Sequence, residues 1–133
     1  MNKLQGNIVA VKSSASMSIV DVKAGADIFS AVVLETPASA AYLRAGKTVT
    51  ILFKETEVSI GKNLSGMISL RNRFPGVIKG IKTNEILAEI TLAYQGLHIV
   101  SVISRRSAEK MELKEGDHVE WLVKTNEVSL LHS

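Results

Sequence analysis

The sequence repeats itself at a fixed offset of 70 residues, and this repetition limits the possible folds more than any other feature. Gly6 recurs as Gly76, and Gly46 recurs as Gly116. Further identical pairs at the same offset are Asn2 and Asn72, Ile8 and Ile78, Lys12 and Lys82, Val32 and Val102, Leu43 and Leu113, Val49 and Val119, Lys54 and Lys124, and the run Glu57-Val58-Ser59 with Glu127-Val128-Ser129. Because no gap interrupts the match, we interpret the chain as two copies of one structural unit. The expected modules are residues 1–62 and 67–133, joined through the Gly-containing stretch 61–66.

Within each copy, the apolar residues follow the two-residue period of β-strands. The first copy predicts strands at residues 8–11, 17–22, 28–34, 49–53 and 58–60, and the second copy repeats the pattern. Thr36 followed by Pro37 and an Ala-rich run predicts a short helix at residues 36–43, repeated at residues 107–113. Five short strands with one helix before the fourth predict an all-β fold with short helices, in which each half is a five-stranded OB-like barrel.

Composition excludes several classes of protein. With 133 residues and 46% hydrophobic content, each copy is short of a generous core, so we expect association between chains. The chain has no Cys, and its three His residues are too scattered for a metal cluster, so neither a disulfide framework nor a metal site is expected. No apolar run is long enough to span a membrane and no signal-peptide core opens the chain, which leads us to expect a cytoplasmic protein.

The net charge of +3 and the pI of about 9.3 raise the question of nucleic-acid binding. The charge is evenly spread, because residues 1–66 carry 7 basic and 5 acidic side chains and residues 67–133 carry 9 and 8. Aromatic residues make up only 5% of the chain, which leaves little for a base-stacking surface. An OB-type nucleic-acid-binding module is therefore an alternative that the distribution of charge disfavours.

One segment of the second copy combines several donors of the kind that bind anions. Ser69 offers a hydroxyl, Arg71 a charged fork and Asn72 an amide, with Leu70 between them. Pro75-Gly76 follows, and we expect this pair to bend the chain before the next strand, so that the donors converge. The segment therefore predicts an anion-binding edge.

Ser69-Leu70-Arg71-Asn72, followed by Gly76 and an apolar strand, resembles the opening signature of the Mop family. These are small molybdate- and tungstate-binding modules of the TOBE class. Leu70 stands where the family usually has Ala. The resemblance covers the second copy and, more loosely, the first. It implies an OB-like fold and intracellular binding of molybdate or tungstate for storage, homeostasis or sensing, by a homodimer or trimer that is not an enzyme.

The resemblance also implies which residues hold the oxyanion. One wall comprises Ser69, Arg71, Asn72 and the backbone N–H of Leu70, and the opposite wall comprises Ser104, Ser107 and Lys124. The start of the predicted helix would add backbone amides to the second wall. In this family the two walls come from different modules, so a full site is expected to join the second copies of two chains.

The first copy departs from the family pattern. Met1 stands at the position of Arg71, while Leu34 and Pro37 replace the two serines of the second wall. Lys54 alone is retained and stays among the candidate oxyanion-binding residues, but we expect the first copy to be mainly structural.

Each candidate also has a purely structural interpretation. Arg71 could be a solvated charge, the serines could be helix caps, and Lys124 could protect a strand end. Arg105 and Arg106 could attract the anion or simply face solvent. A further alternative is the effector-sensing domain of a molybdate-responsive regulator. An enzyme is the least favoured class, because the chain shows no nucleophile–base constellation and no phosphate loop.

Overall fold

A computed structural model describes residues 1–132 and divides the chain into two compact units. Unit 1 combines Met1–Phe53 with the segment that starts at Lys124, and unit 2 is Lys54–Val123. Both units are built almost entirely of antiparallel strands.

Unit 1 contains one five-stranded sheet. Its strands are β1 (Asn2–Ser14), β2 (Met17–Ala24), β3 (Asp27–Val33), β4 (Thr48–Phe53) and β10 (Ser129–Leu131), in the order β10-β4-β1-β2-β3. The two outer strands, β10 and β3, also contact each other, so the sheet curls towards closure. This is the OB-like barrel that the strand pattern predicts.

Unit 2 repeats this arrangement and adds an α-helix. Its strands are β5 (Ser59–Gly61), β6 (Asn72–Thr83), β7 (Leu87–Tyr94), β8 (Leu97–Ser104) and β9 (His118–Val123), in the order β5-β9-β6-β7-β8. Helix α1 (Arg105–Lys110) follows β8 directly. Two 3₁₀ turns, at Glu55–Glu57 and Thr125–Glu127, precede the short strands β5 and β10.

The two repeats exchange their last strands. Strand β5 comes from the first repeat but pairs with β9, with Ser59 opposite Leu122. Strand β10 comes from the second repeat but pairs with β4, with Ser129 opposite Leu52. The two registers are equivalent under the 70-residue offset, so either terminal strand fits either barrel. The predicted modules, 1–62 and 67–133, follow the sequence repeat, whereas the compact units follow the strand pairing.

A β-bulge interrupts the first strand of each unit at the same place in the repeat. The register shifts between Ile8 and Ala10 in β1 and between Ile78 and Gly80 in β6. Such a bulge bends a long strand, which allows it to pair with different neighbours at its two ends. Accordingly, the first half of β1 pairs with β4 and the second half with β2.

The two cores are filled differently. Unit 2 is centred on three aromatic rings, with Trp121 lying 5.1 Å from both Phe74 and Tyr94 between ring centroids. Gly76 makes room for this cluster, because a Cβ atom there would lie 3.2 Å from Trp121 Cδ1. Unit 1 uses smaller apolar side chains around Phe29 and Phe53.

The predicted helix at residues 36–43 is wrong. Turns occupy this stretch, with the N–H groups of Ser39 and Ala40 both donating to the Thr36 carbonyl. The bond from Ala40 N–H closes one helical turn, and the Ser39 hydroxyl accepts from the Thr36 N–H at 2.9 Å, as at a helix start. The turn does not continue, because Leu43 N–H donates to the Ala40 carbonyl and Arg44 N–H to the Tyr42 carbonyl, over three and two residues. In the second repeat the helix exists but lies at Arg105–Lys110, two residues before the predicted start.

The predicted bend at Pro75-Gly76 is also wrong, because β6 continues through both residues without a break. Pro75 lies opposite Glu120 of β9, while pairing with β7 begins only at Val77. One side of the strand therefore has no neighbouring strand at Pro75. The missing N–H of proline costs no ladder hydrogen bond there.

Candidate functional site

The Ser-x-Arg-Asn segment leads directly into β6. Ser69 and Arg71 are exposed, and Leu70 is half-buried. Asn72 is the first residue of the strand, lies opposite Val123 and is 0% exposed. Its counterpart in the first repeat, Asn2, is also buried. The Asn side chain therefore belongs to the interior of each unit.

Ser104 and Ser107 lie together at the start of α1. Ser104 is the N-cap residue, and its hydroxyl oxygen accepts from the Ser107 N–H at 3.1 Å. The Ser104 hydroxyl also donates to Ser107 Oγ at 2.9 Å. With its oxygen accepting this bond, Ser107 keeps its own hydroxyl hydrogen for a further acceptor. The cap therefore leaves the exposed Ser107 hydroxyl with a hydrogen to donate.

The start of α1 offers an anion fewer unused backbone N–H groups than the sequence predicts. Arg105 N–H donates to the Ile86 carbonyl at 2.8 Å, and the Ser107 N–H is used by the cap. The Arg105 side chain is held by Glu109 Oε1 and by the Asn84 carbonyl, each at 3.1 Å. Arg105 therefore serves the local structure.

The strand exchange changes which lysine accompanies the two serines. Lys54 belongs to unit 2, and the 3₁₀ turn that it begins contacts β8, the strand that ends at Ser104. Just after this turn, the Val58 carbonyl accepts a 2.6 Å hydrogen bond from Ser101 in the middle of β8. The Lys54 backbone is fixed by hydrogen bonds to Glu57, while its side chain is exposed. The structure thus places Lys54 in the same unit as Ser104 and Ser107, at the start of a turn that packs on the strand leading to them.

Lys124, which the sequence assigns to that wall, belongs to unit 1. It begins the second 3₁₀ turn, which contacts β3. The residues that follow β3 include Leu34 and Pro37, which replace the two serines in the first repeat. Lys124 therefore lies in the unit without the serine pair.

Sequence reasoning missed one well-defined ion pair in unit 2. Arg73 of β6 binds Glu120 of β9 through two bonds, of 2.6 Å from Nε and 2.8 Å from Nη2. The hydrogen bonds from Arg73 lower the pKa of the Glu120 carboxyl against the opposing effect of burial. This pair joins two strands beside the Ser-x-Arg-Asn segment. A cross-strand pair of this kind requires the register, which the sequence alone does not provide.

Neither a candidate metal cluster nor a membrane-spanning helix occurs among the described residues. Across residues 1–132, no three His, Asp or Glu side chains are grouped so that they could hold a metal ion. No helix in the same range is long and apolar enough to cross a membrane.

Comparison with known proteins identifies the family of this chain. The TOBE domain matches residues 68–130. Molybdenum-pterin-binding proteins 1 and 2 of Clostridium pasteurianum are each 37% identical to the chain over 65 residues, which is 48% of this chain and 96% of each relative. The chain belongs to the Mop family of TOBE-domain proteins. The family resemblance of the Ser-x-Arg-Asn signature is thereby confirmed.

A solved structure extends the similarity of this Mop-family chain to both repeats. The cytoplasmic molybdate-binding protein ModG, crystallised with molybdate bound, matches with a TM-score of 0.93 at 34% identity. The match covers 99% of this chain and 96% of that one. The predicted fold of two tandem OB-like modules is therefore confirmed. These relatives are named for binding, as molybdenum-pterin-binding and molybdate-binding proteins.

Proposed function

We propose that this chain binds molybdate or tungstate inside the cell, in storage, homeostasis or sensing, and has no enzymatic activity. The observation that carries this proposal is the match to molybdate-bound ModG across 99% of the chain. Nucleic-acid binding, the alternative from fold and pI, is not favoured, because the charge is evenly spread.

The exposed donors of unit 2 suit a tetrahedral dianion. Such an ion needs hydrogen-bond donors on several sides and positive charge to offset the loss of its hydration. We assign Ser69, Arg71 and the backbone N–H of Leu70 to one wall, with Asn72 anchoring this wall from the interior. Ser107, supported by its hydrogen bond from Ser104, provides the second wall.

We assign the lysine of the second wall to Lys54 rather than Lys124. This assignment rests on the strand exchange, which places Lys54 in the same unit as the serine pair. The first repeat therefore contributes to the proposed site through one side chain, although it lacks the other donors.

We further propose that the two walls meet between chains in a homodimer or trimer. Unit 1 exposes between 42% and 48% of the surface of four large apolar residues on three neighbouring strands, which are Val9, Met17, Ile19 and Ile28. Small barrels with exposed apolar residues gain stability by covering them in an assembly.

Isothermal titration calorimetry with four anions tests this function. We expect molybdate and tungstate to bind the full chain tightly, and sulfate and phosphate to bind at least tenfold more weakly. Arg71→Ala should weaken molybdate binding by about 2–5 kcal/mol, because it removes a charged partner from a desolvated anion. Lys82→Ala removes an exposed charge near the end of β6 and is the matched control. Equal weak heats for all four anions would leave only nonspecific attraction by charge.

A further inference from the structure

A second cleft lies in unit 1, at residues that the proposed molybdate site does not use. Its volume is about 370 Å³. The loop between β3 and β4 lines it on one side, and His132, which follows β10, lines it on the other. The residues that give the cleft its chemistry are Glu35, Ser39, Tyr42, Arg44, Lys47 and His132.

One side of the cleft is a pair of stacked rings. Tyr42 is 6% exposed, and the imidazole of His132 lies parallel to its ring, with 3.9 Å between centroids and an angle of 9°. The Tyr42 hydroxyl donates to Glu35 Oε1 at 2.7 Å. Burial raises the pKa of Tyr42, and the bond to Glu35 raises it further, so the hydroxyl stays protonated. Because the Tyr42 ring is held in place, the imidazole of His132 that stacks on it forms a flat surface of the cleft.

The cleft is also electropositive. Arg44 and Lys47 both line it, and neither side chain forms an ion pair within residues 1–132. Among the described residues of the lining, Glu35 is the one acidic side chain, and one of its oxygens already accepts from Tyr42. Within that set, two cations face the cleft with a single, partly used carboxylate to balance them.

At the equivalent place in unit 2, an ion pair within the unit joins the side chains. There, Lys62 and Asp117 form a 3.1 Å ion pair. Lys62 Nζ also donates to the carbonyls of Met111 and Glu112, at 3.1 Å and 3.0 Å. Burial opposes ionisation of Asp117, but hydrogen bonds from Lys114 and Lys62 lower its pKa on balance.

In the first repeat, the positions of Asp117 and Lys62 are occupied by Lys47 and His132. Because the basic Lys47 stands where unit 2 has the acidic Asp117, unit 1 cannot form the equivalent ion pair. The same place is instead open and positively charged. An anion from outside the chain can therefore pair with these cations.

We propose that this cleft binds a small aromatic anion. Its ring would stack on His132, and its phosphate or carboxylate would face Arg44 and Lys47. The volume falls within the roughly 300–1,000 Å³ that is usual for small-molecule sites, and it exceeds what a single tetrahedral oxyanion requires. Cations beside a flat ring surface select for a ligand that carries both features.

Calorimetric titration of the full chain with four probes tests this proposal. Adenosine 5′-monophosphate and 1-naphthoate carry both features, whereas adenosine carries only the ring and inorganic phosphate only the charge. We expect at least one of the first two to bind with one molecule per chain, and at least tenfold more tightly than adenosine and phosphate. Equal binding of all four probes, or no binding of either aromatic anion, overturns the proposal.

Variants locate the binding and separate it from the molybdate site. Lys47→Asp should abolish binding of the aromatic anion while the protein stays folded by circular dichroism, because Asp117 occupies the equivalent position in unit 2. Arg44→Ala should weaken binding at least tenfold. The control Lys79→Ala removes an exposed lysine of β6 and should have no effect. Molybdate binding should be unchanged in all three, and binding of the aromatic anion by Lys47→Asp at wild-type affinity overturns the assignment.

Discussion

The hydroxyl of Ser101 donates a 2.6 Å hydrogen bond to the carbonyl oxygen of Val58, which lies 43 residues earlier in the chain. Ser101 belongs to β8 of the second repeat and is fully buried, whereas Val58 belongs to the first repeat. The bond therefore secures the exchanged segment inside unit 2. It adds to the backbone pairing of β5 with β9.

Replacing Ser101 should destabilise the protein measurably. Ser101→Ala removes the donor from a buried carbonyl, which costs about 1–3 kcal/mol. Urea denaturation should show this decrease in the free energy of unfolding. Ser129→Ala, at an exposed serine of β10, is the control and should change it by less than about 0.5 kcal/mol. Equal stability of the two variants would show that the bond to Val58 does not hold the segment.

The Arg73–Glu120 pair should make stability depend on pH in the acid range. Because Arg73 lowers the pKa of Glu120 in the folded state, the pair stabilises the protein above the ordinary Glu value of about 4.3. That contribution is lost as the pH falls through the lowered pKa. Glu120→Gln should therefore reduce Tm at pH 7, and the difference from wild type should shrink towards pH 2.5.

Thermal denaturation monitored by circular dichroism between pH 7 and pH 2.5 measures this difference. Glu115→Gln, at an exposed turn position, is the control and should leave Tm unchanged throughout. A difference for Glu120→Gln that stays constant over the whole range would contradict the stabilising role of the ion pair.

The strand exchange predicts that Lys54 contributes more to molybdate binding than Lys124. Lys54→Ala should weaken binding at least tenfold, because this lysine lies in the same unit as Ser104 and Ser107. Lys124→Ala should have a smaller effect. Both side chains are exposed, so neither variant should lose its fold. Calorimetry on the two variants measures both effects. A larger loss of affinity in Lys124→Ala than in Lys54→Ala, which the sequence repeat alone favours, would contradict this assignment.

Much of the fold follows from the sequence, because the strand periodicity and the 70-residue repeat are strong signals. The exchange of β5 and β10 does not follow from it. Glu57-Val58-Ser59 and Glu127-Val128-Ser129 are identical, so local sequence cannot specify which barrel each strand joins. The helix predicted at residues 36–43 forms only the single turn closed by Ala40 N–H and the Thr36 carbonyl, because the backbone bonds that follow span three or two residues and not four.

The sequence predicts the wall with Ser69 and Arg71 better than the wall with the serine pair and its lysine. Ser69 and Arg71 lie on the exposed surface, as an anion-binding segment requires. The bend expected at Pro75 does not exist, because proline is tolerated where a strand has a neighbour on one side only. The grouping of Lys54 with the serine pair depends on long-range strand pairing, which no local pattern encodes.

Native mass spectrometry with and without molybdate tests the central claim most directly, since it reports the size of the assembly and the number of bound anions together. We predict a homodimer or homotrimer that retains molybdate, and an Arg71→Ala assembly of the same size that does not. A monomer that retains molybdate would contradict the site between chains, and an assembly that retains none would contradict the proposed function itself.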